Sequence, residues 1–166
     1  VANSADFFPN DSNGLSNGTW SIMGNTITED SCALEANTSA LGFNVVDYLP
    51  LGFEITGSTA TAFNLTPQID SSFVNLQLDP TDCQITFDQF QCSQITYDYP
   101  VDVMGYTITL VADLTISGTI TSQSGINIQH SGSLDCGITC QLAQFVLPAQ
   151  FSPPCDLTLD GDATAQ

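Results

Sequence analysis

An all-β fold is predicted: an antiparallel barrel or sandwich of about eight to ten strands, with disulfides and little helix. Three observations predict it. Apolar and polar residues alternate with period two over most of the chain beyond residue 19. β-Branched and aromatic side chains fill those runs, while Gly, Pro, Asn and Asp fill the gaps between them. One apolar and one polar face per strand also means antiparallel strands around a single interior. The 166 residues suffice for one domain, divided here into an N-terminal arm, 1–17, and a β domain, 18–166.

The elements follow in order. Residues 1–19 are rich in Asn, Ser, Asp and Gly, with turn signals at Asn13-Gly14 and Asn17-Gly18. Phe7-Phe8 within the arm either tucks onto the domain or latches a neighbour. The first clear strand opens at Gly18-Thr19-Trp20, and Ser31–Ala40 has the composition for a short helix. Phe53, Ile55, Gly57, Thr59, Thr61, Phe63 and Leu65 share one phase, and Val74, Leu76 and Leu78 make a shorter strand. Ile95, Tyr97, Tyr99, Val101 and Val103 alternate with polar residues until the phase flips at Gly105, which marks a tight turn or a bulge. Tyr106, Ile108, Leu110, Ala112, Leu114, Ile116 and Ile120 then share a face, and Ile126 and Ile128 continue it. Gly137–Ala143 allows one more helical turn, and Leu157 and Leu159 form the last strand. No repeat of solenoid length is present.

Six cysteines in a chain of this size form a disulfide framework in an oxidising compartment. The expected pairs are Cys83–Cys92 across a hairpin, Cys136–Cys140 within a short loop, and Cys32–Cys155 between an early and a late strand. Zinc is the weaker reading, since there is one His and no C-x-x-C pair. The chain starts at Val1, and no apolar run is long enough to span a bilayer. A mature secreted or cell-surface product is therefore expected.

Eighteen acids face one His and no Lys or Arg, a net charge of −18. With 42% hydrophobic residues the chain is still globular, not a disordered acidic tail. Nucleic acid and anionic membrane are excluded as partners, because nothing can replace their counterions. No Asp–Arg or Glu–Lys pair can form. Each carboxylate must be hydrated, accept hydrogen bonds in a turn or cap, or bind an external cation. Calcium is the most credible ligand. Asp156, Asp160 and Asp162 cluster at a strand end, Asp79 and Asp82 flank a turn, and Glu29-Asp30 adjoin Cys32. The alternative is ordinary Asp-rich turns, and no EF-hand loop is matched.

Catalytic constellations are poorly represented. His130, in the phase of Ile126 and Ile128, would have to be the base of any Ser–His–Asp site, and a hydrogen-bonded core or rim residue is the plainer reading. A glycosidase-type carboxylate pair would lack cationic substrate contacts. Asp70-Ser71-Ser72 fails the aspartic-protease pattern at its third residue. Sequons at Asn10, Asn17, Asn37 and Asn64 are weak signals for surface glycans.

Gly18-Thr19-Trp20, a G-x-W opening the first strand, resembles the signature of lipocalins and the wider calycin group. Gly118–Cys140 also looks like bacterial secreted lipocalin-like domains, with G-T and S-G turns and terminal cysteines. The resemblance implies an up-and-down barrel with Trp20 plugging its closed end. A small apolar ligand would then sit in a mouth lined by Trp20, Tyr97, Tyr99 and Tyr106. The chain departs from the family in lacking the basic residue that usually closes over that Trp.

Two functions follow. The first is a non-enzymatic extracellular building block, such as a fibre, tube or coat subunit, self-associating through edge strands, the arm or bridging divalent cations. The second is a lipocalin-like carrier of a small apolar ligand.

Overall fold

The computed structural model describes residues 14–36, 50–68, 78–103, 106–135, 137 and 153–166. Among them run nine strands: β1 Gly18–Asp30, β2 Gly52–Thr56, β3 Ala62–Gln68, β4 Thr81–Thr86, β5 Gln89–Cys92, β6 Ile95–Val103, β7 Tyr106–Ser122, β8 Gly125–Asp135 and β9 Cys155–Ala165. Each strand from β1 to β4 pairs antiparallel with the next, as does each from β6 to β8; β9 pairs with β1, and β5 pairs with β7. Eight strands therefore close into an antiparallel barrel. The ninth, β6, continues β5 past Ser93-Gln94 along the same edge of β7.

The phase flip near Gly105 is a hairpin: β6 and β7 pair from Val103↔Tyr106 through Ile95↔Leu114, so the apolar phase of one strand faces that of the other. Leu78 is buried but precedes β4. Its proposed strand partners Val74 and Leu76 lie outside the described residues, as do Phe7-Phe8, Asp70, the Cys136–Cys140 pair and most of both proposed helices. Among the described residues α-helix is confined to Leu34–Ala36, and Gly137 is in 3-10 conformation.

The barrel has two unlike ends. Short connections, 57–61, 87–88 and 123–124, cluster at one end; the chain returns from β1, β3 and β8 at the other. β2 to β5 are short, four to seven residues, so they close the ring only near the short-turn end. The longer β1, β6, β7, β8 and β9 run on beyond it as an open sheet.

Inside the ring, Trp20, Ile22, Phe53, Ile55, Phe63 and Leu65 from β1–β3 meet Ile116, Ile120, Ile126 and Ile128 from β7 and β8 in one buried cluster. The Phe63 and Phe90 rings pack edge-on at 5.3 Å. Cys83 and Cys92, directly opposite in register, turn inward and are bonded. The second disulfide, Cys32–Cys155, joins the far ends of β1 and β9 across 123 residues of sequence. Both match the expected pairing. On the chain-entropy model the longer closure is worth about 5 kcal/mol and the shorter about 3.

Candidate functional site

At the short-turn end the interior is filled. Leu15 is buried in the core cluster beside Trp20, although both adjoin the polar N-terminal segment. Trp20 is fully buried, its ring stacks on Phe53 at 5.8 Å, and its Nε1 donates to the Ser16 carbonyl at 3.0 Å. The indole thus gains its one required hydrogen bond from the chain that caps the barrel.

Trp20 and Tyr97 stand at different levels of the barrel. Trp20 lies opposite Ala165 of β9, whereas Tyr97 lies opposite Ala112, in line with Leu134 and Cys155. Ten residues of β9 separate those levels, about 33 Å at strand rise. The length of the strands sets Trp20 apart from Tyr97, a distance that sequence spacing alone did not reveal. Tyr99 and Tyr106 stand opposite Leu110 and Val103 in the β6–β7 ladder, and their side chains lie outside the described set.

Beyond the closed ring the inner face continues on the long strands, bearing Tyr97, Ala112, Leu114, Gly132, Leu134 and Leu157. Among the described residues two polar atoms on this face are buried without a hydrogen-bond partner, His130 Nε2 and Tyr97 Oη. His130 pairs in register with Ile116 and Leu159. Burial lowers its pKa to about 4, so the ring is neutral at physiological pH. Burial raises the Tyr97 phenol to about 12, and the Asp79 carboxylate adds to the rise. An unpartnered buried donor or acceptor is destabilising by about 1–3 kcal/mol, which native folds seldom leave uncompensated. Ser58 Oγ is also unpartnered, but it sits at the short-turn end against Gly14.

The carboxylates are accommodated by neutral donors. Asp30 accepts the backbone N–H groups of Leu34 and Glu35 at 2.7 and 3.0 Å, and Asp135 accepts that of Gly137 at 3.0 Å. Gln129 donates to Asp160 at 2.8 Å, Asn127 to Asp162, and Thr96 to Asp113. Asp156, Asp160 and Asp162 face the same side of β9 but do not converge, because alternate strand positions stand about 6.7 Å apart. Asp79 precedes β4 and Asp82 lies within it; both are exposed. Among the described residues no three His, Cys, Asp or Glu side chains are grouped to hold a metal ion.

His130 and Tyr97 were visible in the sequence as members of the apolar phase. That both would be left unpartnered was not, because it depends on which groups the closed ring brings opposite them. Among the described residues no helix is long and apolar enough to cross a membrane. No protein-family model matches the chain, and neither a curated protein nor a solved structure matches it.

Proposed function

We propose that the protein is a non-enzymatic extracellular carrier, lipocalin-like in its working, that takes a small elongated ligand at the long-loop end of the barrel. The observation that supports this reading is the pair of buried, unpartnered polar atoms, His130 Nε2 and Tyr97 Oη, on an otherwise apolar inner face. They stand two strands and about 13 Å of strand rise apart. A mostly apolar ligand with a hydroxyl or carbonyl at each end would satisfy both. A net charge of −18 without Lys or Arg favours a neutral ligand over a carboxylate or phosphate. The two disulfides accord with an oxidising, extracellular setting.

The test is titration with the neutral apolar dye Nile red, followed by its displacement with long-chain alcohols. Saturable dye fluorescence is expected, weakened about tenfold or more by His130→Phe or Tyr97→Phe. Absence of saturable binding, or binding indifferent to both substitutions, would sink the reading.

A second reading, the self-associating structural subunit, draws on one observation. Among the described residues β6 has a strand partner on only one edge, leaving Ile95–Val103 open to pair with a second copy. Light scattering at rising concentration, with and without Ca²⁺, separates the two readings; a persistent monomer removes the second.

A further inference from the structure

The outward face of the barrel carries a feature that the carrier reading does not use. Two cross-strand rows of polar side chains lie in register over β4, β5, β7, β8 and β9. One is Gln84, Gln91, Ser117, Gln129 and Asp160; the other is Thr86, Gln89, Thr119, Asn127 and Asp162. Together they line a groove of about 710 Å³. Five strands at sheet spacing make it about 19 Å long.

The sequence explains why a barrel wall is hollow here. Between the two rows runs a third, inward-facing one, in which Phe90, Gly118, Ile128 and Gly161 are opposite one another in turn. A Cβ on Gly118 would strike the Asn127 carbonyl and come within 2.7 Å of the Phe90 ring. One on Gly161 would come within 2.9 Å of Ile22. With no side chain beneath them, β7 and β9 lie directly on the core, and the outer surface sinks above them.

We infer that this groove is a binding site for a neutral oligosaccharide chain. Eight of the ten side chains in the two rows are uncharged amides or hydroxyls, and the two carboxylates are already engaged by the amides of Gln129 and Asn127. Each engaged amide keeps an N–H and a carbonyl oxygen, and each carboxylate keeps free lone pairs. Such a surface offers acceptors and donors in closely spaced sets, the pattern that neighbouring sugar hydroxyls satisfy. Anionic ligands are repelled by the charge of −18. A hard divalent ion finds no converging third carboxylate among the described residues. The length suits a chain of several sugar rings better than a single ring. Exposed apolar surface for sugar C–H faces stands at both ends of the second row: Phe87, 55% exposed, next to Thr86, and Met23, 59% exposed, opposite Asp162. The site is on the opposite side of the sheet from His130 and Tyr97, so it stands whether or not the carrier reading does.

The test is calorimetric titration of the full chain with cellohexaose, laminarihexaose, maltohexaose and chitohexaose, and with hexalysine as the competing cationic class. Saturable binding of at least one hexasaccharide is expected. The double substitution Asn127→Ala/Gln129→Ala, at exposed positions, should weaken it about tenfold or more while leaving the thermal midpoint nearly unchanged. Glu54→Gln, on the far wall, should leave binding intact. No binding of any hexasaccharide at millimolar concentration overturns the inference, as does binding that survives the double substitution. Hexalysine bound in their place, and lost with the same substitution, overturns it in favour of a basic peptide.

Discussion

The closed ring and the open sheet beyond it share β1, β7, β8 and β9, yet they bury their inner faces to different degrees. On β7 and β8, Ile116, Ile120, Ile126 and Ile128 are at most 2% exposed, while Ala112, Leu114 and Leu134 on the same inner phase are only half-buried. Nothing in the local pattern separates the two groups. What differs is the opposite wall: the short β2–β5 cover the first group and end before they reach the second. Alternation therefore reports which face a residue takes, and ring closure decides whether that face is dry.

Four measurements break or sharpen that contrast. The largest effect is expected from Cys32→Ser/Cys155→Ser, which removes up to about 5 kcal/mol on the chain-entropy model. Because this bridge ties β1 to β9 in the open half, amide exchange should accelerate there before it does in the ring. Uniform acceleration would mean the two halves unfold as one unit. Trp20→Ala should follow at about 3–5 kcal/mol by denaturant unfolding, against about 1 kcal/mol for Leu134→Ala. Equal losses would show the open half to be as well covered as the ring.

His130 comes next. Its folded pKa is about 4 against an ordinary 6.5, so between those values the unfolded chain binds the extra proton. Stability should fall as pH drops from about 6.5 to 4, by at most about 3 kcal/mol from this residue. His130→Gln should flatten that part of the pH–stability curve, and an unchanged slope would place the ring in a wetter setting. The smallest effect is ionic. Added salt should raise the thermal midpoint, because eighteen acids repel one another without basic partners. No shift, or a fall, would contradict that reading of the charge.

The all-β class, most strands and the pairings Cys32–Cys155 and Cys83–Cys92 were legible because period-two alternation and cysteine placement are local or nearly local signals. Ring closure was not, since β5 meets β7 through a register that no short window contains. The carboxylates misled for a related reason. Asp156, Asp160 and Asp162 are close in sequence, but an extended strand holds its alternate side chains parallel and apart. The groove left a trace that could have been read: Gly118 and Gly161 occupy the apolar phase of strands otherwise filled mostly by Ile, Leu and Ala, and a missing side chain there lowers the wall.

The pairing of β1 with β9 has a consequence for biosynthesis. Trp20 meets Ala165 across 145 positions, so the ring cannot shut until its last strand has left the ribosome. Until then the nascent polypeptide exposes β1 and β8 as two unsatisfied borders, and Cys32 waits beside them for its partner thiol. Closure is therefore committed late, and the exposed borders need shielding until β9 has emerged.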